Sequence, residues 1–151
     1  MSIGLLVGSD EQVASHFLAP RNQEFFKYDR AIGIVKDGEL VGTILFHGWN
    51  GANLELGYYG KGTVTAGIVR WIARFILSEF NLSRLTVVTS KRNRRLVRSL
   101  QRLGFKVEGI SRCFYGEIDC NRNTGMRFVA FKEQIMAVAK IGSPEDMQQC
   151  S

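Results

Sequence analysis

The stretch NRRLVRSLQRLGFKVEGISR, from Asn93 to Arg112, changes its periodicity partway along. Leu96, Val97, Leu100 and Leu103 recur at spacings of three and four, which gathers them on one side of an α-helix. Asn93 stands where an N-cap would take up an unpaired amide of the first turn, and Gly104 supplies the C-terminal stop. Phe105–Glu108 then reads as a strand. Just upstream, Leu85–Thr89 (LTVVT) is a compact β-branched run between polar residues, the pattern of a buried strand. Strand, helix and strand in that order place the second half of the chain in layered α/β structure.

Toward the amino terminus, the strongest helical signal is Val64, Ile68, Trp71, Ile72, Phe75, Ile76 and Phe80, with Arg70, Arg74 and Ser78 elsewhere on the wheel. Before it, Asn53–Tyr59 is strand-like and Gly48-Trp49-Asn50-Gly51 marks a turn. Ala31–Val35 and Leu40–His47 are two further strand-like runs, separated by Lys36-Asp37-Gly38-Glu39. Asp-Gly in that position signals a tight hairpin. Ile3–Val7 predicts a first strand, and Ser9 or Asp10 caps a helix through Leu18 that Pro20 ends. Toward the carboxyl terminus, Gly116–Gly125 is polar enough for a loop and Met126–Phe131 is the last strand. The order β-α-β-β-β-α-β-α-β-β predicts an α/β (α+β) fold with helices packed on a mixed sheet. Residues 1–139 form one domain in this reading, and 140–151 a flexible tail.

Composition bounds the function. The 151 residues are 45% hydrophobic and 23% charged, ordinary for a globular domain. No apolar run approaches the ~18 residues that span a bilayer, and the first residues, MSIGLLVGSDEQ, lack the basic start of a signal peptide. Cys113, Cys120 and Cys150 form no CxxC pair, and with His16 and His47 they show no metal-ligand spacing. These features predict a reduced cytoplasmic protein with no structural metal and no membrane partner. The net charge of +6 suits an anionic partner, and six cationic residues lie between Lys91 and Arg102 without an acidic one. That run reads as a solvated helix face, as a holder of cofactor phosphates, or as a nucleic-acid contact. The last is disfavoured, because no RRM or helix-turn-helix pattern accompanies it.

The junction Tyr58-Tyr59-Gly60-Lys61-Gly62-Thr63-Val64-Thr65 joins a strand to the start of the long helix. A helix start carries unpaired N–H groups and about half a positive charge, so it attracts phosphate. Glycines there let a ligand approach the backbone, Lys61 adds charge, and Thr63 or Thr65 suits a cap. A Gly-containing turn that only reverses the chain has the same composition, and both readings stay open.

Together these pieces resemble the GNAT (Gcn5-related N-acetyltransferase) superfamily over about Ala31–Phe131. In that family an Asn opens a helix that ends at Leu-Gly-Phe, followed by Glu-Gly and an Arg, as in Asn93–Arg112. The strand Leu54–Tyr58 and the loop from Gly60 occupy the place of its acetyl-CoA-binding motif. The resemblance implies a mixed, mostly antiparallel central sheet with helices on both faces. Its two parallel strands, Leu54–Tyr58 and Leu85–Thr89, would splay to admit the pantetheine arm of acetyl-CoA. Backbone groups of Leu56 and Tyr58 would bond that arm, and amides of Gly60, Lys61, Gly62, Thr63, Val64 and Thr65 would hold the pyrophosphate. Asn93 would contact the cofactor or an ordered water, Tyr115 would protonate the departing thiolate, and Glu55 would be the general base.

The implied activity is acetyl-CoA-dependent N-acyl transfer by direct attack in a ternary complex, with an amine of a protein or small molecule as acceptor. From the residues alone, Glu55 is also an ordinary outward strand residue, and Phe114-Tyr115 also reads as strand packing. The loop is shorter than the family's and lacks the Gln or Arg at its head. That departure opens a second reading, a catalytically inactive GNAT-like protein-binding module. The short chain also resembles the GNAT-like proteins of tailed bacteriophages, which implies a host protein as partner and the host cytoplasm as location. Monomer and homodimer are equally compatible.

Overall fold

The structure, a computed structural model, describes residues 3–21, 26–60 and 64–139. Their elements are β1 (Ile3–Leu6), α1 (Asp10–Leu18), β2 (Arg30–Lys36), β3 (Glu39–His47), β4 (Asn53–Gly60), α2 (Ala66–Glu79), β5 (Arg84–Ser90), α3 (Arg94–Arg102), β6 (Lys106–Ser111), β7 (Gly125–Phe131) and α4 (Lys132–Ala139). The strands form one sheet in the order β1-β2-β3-β4-β5-β7-β6. Every neighbouring pair is antiparallel except β4 and β5, which run parallel. The mixed, mostly antiparallel sheet anticipated from the sequence is present, and residues 140–151 lie outside the described part of the chain. No described helix is long and apolar enough to cross a membrane.

Strand alternation divides the side chains between two faces. Leu54, Leu56 and Tyr58 of β4 join Ile32, Ile44, Phe46 and Leu85 on the face covered by α2 and α4, where Ile68, Ile72, Ile76 and Ile135 pack. Val87, Met126 and Phe128 continue that face beneath Leu96, Val97 and Leu100 of α3. On the opposite face, Val13, Ala14 and Leu18 of α1 pack against Ala31 of β2 and Leu45 of β3. The same face of β4, β5 and β7 carries the polar side chains Asn53, Glu55, Arg84, Thr86 and Arg127, joined by hydrogen bonds. The β2–β3 turn is built as its sequence demands, with Asp37 at φ 52° and Gly38 at φ 83°.

Three features depart from the sequence reading. The long helix begins at Ala66 rather than Val64, because Thr65 caps it, its Oγ1 accepting the Ile68 amide at 3.2 Å. Strand β6 runs on to Ser111 past a bulge at Glu108, whose carboxylate reaches Arg84 at 2.6 Å. Helix α4 was absent from the predicted order. Ile135 and Ala139 carry its buried stripe, and Arg74 Nε of α2 donates to the Ala139 carbonyl at 3.0 Å. No turn residue separates it from β7, so nothing in the sequence marks the change from strand to helix.

Candidate active site

The parallel pair is short. It runs from Asn53 opposite Arg84 to Leu56 opposite Val87 and stops there. Strand β4 nevertheless continues beside β3 as far as Gly60, and β5 beside β7 as far as Ser90. Each strand keeps its outer neighbour while the inner edges part, which opens a slot with its apex at Leu56 and Val87. In chain order α2 is the next element after β4 and α3 the next after β5, so both helices begin after the ends of the parallel strands. In the first turn of α2 the amides of Ala66 and Gly67 have no acceptor within the helix. A β-carbon at Gly67 would meet nothing nearer than Thr65 Oγ1, at 3.8 Å, so this turn presents backbone rather than side chain. Such a helix start suits a phosphate group.

Of the residues assigned to the cofactor loop, Lys61, Gly62 and Thr63 lie outside the described residues. Gly60 has a structural reason of its own: φ is +123°, and a β-carbon would lie 2.3 Å from the Val41 carbonyl oxygen. Its glycine is demanded by the close approach of β3. Val64 is exposed, and Thr65 spends its hydroxyl on the cap. Leu56 sits at the apex of the slot. The Tyr58 ring lies over Gly42 on the side of α2, where burial raises its pKa. Asn93 caps α3, its Oδ1 accepting the Leu96 amide at 3.3 Å, the plain role its position suggested. Around it Lys91, Arg92, Arg94, Arg95 and Arg98 are all exposed.

On the polar face, Glu55 is not an isolated outward residue. Its Oε1 accepts from Arg127 at 3.2 Å, and its Oε2 lies 3.2 Å from His47 Nδ1. His47 ends β3 directly opposite Glu55, and the edge of the Phe26 ring closes on it at 4.9 Å. Burial holds the His47 imidazole below its ordinary pKa, against the opposing pull of Glu55 and Asp29. Neither His47 nor Arg127 stood out in the sequence. The signal available was register: with β3 and β4 paired as a hairpin, a His ending one strand meets a Glu near the start of the other.

Tyr115 lies in the loop between β6 and β7, its amide donating to the Asn123 carbonyl at 3.1 Å. The ring packs edge-on against Phe114 at 4.9 Å and remains 48% exposed. Desolvation, with a smaller contribution from Tyr59, raises its pKa, so its phenol stays protonated at neutral pH. Tyr115 also borders a shallow open depression of about 560 Å³ with Ile118 and Arg122.

An acetyltransferase (GNAT) domain family matches residues 8–106. A comparison with curated protein sequences finds no match. Among solved structures, a ribosomal-protein-S5-alanine acetyltransferase from Vibrio fischeri is 13% identical, with a TM-score of 0.60 over 87% of this chain and 92% of that one. A spermidine/spermine N-acetyltransferase from Vibrio cholerae is 10% identical, with a TM-score of 0.66 over 90% and 98%. A Bacillus subtilis acetyltransferase in complex with CoA is 14% identical, with a TM-score of 0.58 over 85% and 97%. At these identities the likeness carries the fold and nothing finer.

Proposed function

The chain belongs to the GNAT acetyltransferase domain family, and we propose that it is an acetyl-CoA-dependent N-acyltransferase acting on an amine of a protein or small molecule by direct attack in a ternary complex. The observation that carries this reading is the parting of β4 and β5 beyond Leu56 and Val87, beside two helix starts. The residues present fit the cofactor. A slot between strands admits an extended arm, the open first turn of α2 suits a diphosphate, and the arginines of α3 suit further phosphate.

Acetyl-CoA, the family's acyl donor, supplies an activated carbonyl and a thiolate leaving group. The acceptor nitrogen must lose two protons. The His47–Glu55 pair takes the first, so that a neutral amine can attack. The Tyr115 phenol protonates the departing sulfur and recovers a proton from the nitrogen through water. Positioning in the slot lowers the barrier further.

The test of this reading is direct. Calorimetry with acetyl-CoA should show binding that falls at least about tenfold, roughly 1.4 kcal/mol, in Gly62→Leu. Unchanged affinity would remove the loop from the binding site. Thiol release would be followed with spermidine and an alanine-terminated peptide, the acceptor chemistries suggested by the two Vibrio neighbours of this fold. No heat with acetyl-CoA and no thiol release would leave the fold as a protein-binding scaffold.

A further inference from the structure

Glu55 Oε1 accepts from Arg127 at 3.2 Å, while Oε2 lies 3.2 Å from His47 Nδ1. A carboxylate held by a guanidinium and backed by an imidazole is poorly placed to take a proton from an incoming amine. The imidazole is differently placed. Its Nε2 lies 3.8 Å from the point where a β-carbon on Gly57 would stand. Gly57 is the first β4 residue past the last β4–β5 pair, so Nε2 lies over the strand where that pairing ends.

We propose that His47 is the proton acceptor for the amine, that Glu55 acts through it as a positioning residue, and that Gly57 is glycine to keep the path to Nε2 open. The inference rests on the acyl-transfer reading above. Glu55 Oε2, 3.2 Å from Nδ1, favours the tautomer protonated there, which leaves the lone pair on Nε2, and Arg127 holds that carboxylate. In the step, an N–H bond of the acceptor ammonium breaks, its electron pair stays on nitrogen, and the proton bonds to Nε2. The imidazolium then returns that proton to water. The groups that face His47 are Glu55 from β4, Asp29 from the segment before β2, Tyr59 along β4, and Arg127 of β7 through Glu55. The two carboxylates stabilise the imidazolium during its lifetime, while burial keeps the resting ring neutral.

Two measurements test this. The chain has two histidines, so His16→Gln isolates the His47 resonances in nitrogen-15 NMR of the free protein. The expected tautomer carries its proton on Nδ1, and Glu55→Gln should weaken that preference. A proton resident on Nε2 overturns the proposal whatever the enzyme does. In turnover with the fastest amine of the panel, His47→Gln should lower kcat/KM by about 100-fold or more and remove the acidic limb of its pH profile, with acetyl-CoA affinity unchanged. Glu55→Gln should cost less alone and nothing further in the His47→Gln background. Gly57→Val should lower the rate while leaving the tautomer intact. A mild His47→Gln beside a severe Glu55→Gln would return the base to Glu55. Absence of turnover in the parent chain would instead count against acyl transfer itself, with the NMR arm still deciding the pair.

Discussion

At Gly60 the chain turns at φ +123°, and a β-carbon there would stand 2.3 Å from a backbone oxygen and 2.6 Å from the Gly42 α-carbon. Neither neighbour is a flexible side-chain end, so no rotamer change relieves the clash. Gly60→Ala should therefore destabilise the protein by at least ~2 kcal/mol, read as a lowered urea midpoint. His47 makes a second residue-scale prediction. Its pKa in the folded protein is held below the ordinary 6.5, so the unfolded chain binds its proton first. Stability from this group is complete above pH 6.5 and declines as pH falls below it. Denaturant midpoints of the parent and His47→Gln should converge on acidification through this range. Parallel curves would place the imidazole in an environment that does not change on folding.

At the scale of elements, the start of α2 combines two demands that normally conflict. Thr65 caps it, the amides of Ala66 and Gly67 have no acceptor within the helix, and no acidic residue stands in the first turn to take advantage of the helix dipole. An acid there would favour the helix and repel a diphosphate. Gly67→Asp should accordingly raise the melting temperature, by roughly 0.5–1 kcal/mol of added helix stability, while weakening acetyl-CoA binding. A variant that gains stability and binds as before would detach the cofactor from this helix start. Helix α4 is tied in differently, by Ile135 and Ala139 in the core and by Arg74 at its last carbonyl. Its eight residues are too few to hold a helix unaided, so these tertiary contacts make it helical.

Across the whole molecule, charge and architecture meet at one end of the sheet. The arginines of α3 are exposed, and α3 follows the end of β5 as α2 follows the end of β4, within a chain of net charge +6. Acetyl-CoA affinity should fall as added salt shortens the screening length below the ~8 Å of physiological buffer, and Arg95→Gln with Arg98→Gln should flatten that dependence. A flat response in the parent chain would make the basic face a solubility feature alone. Much of this architecture was legible beforehand. The 3-and-4 spacing from Val64 to Phe80, the Asp37-Gly38 turn and the β-branched Leu85–Thr89 are local patterns, and local patterns report backbone preference directly. They gave the mixed sheet, and the family resemblance carried by Asn93–Arg112 implied the parallel pair on which the slot depends. The sequence could not show that Glu55 is held between His47 and Arg127, residues 8 and 72 positions away. Nor could it show that Gly60 answers to Val41, or that the chain after Phe131 turns helical without a break. Each of these depends on which strands become neighbours and in what register, and register is settled when the whole sheet closes over its core.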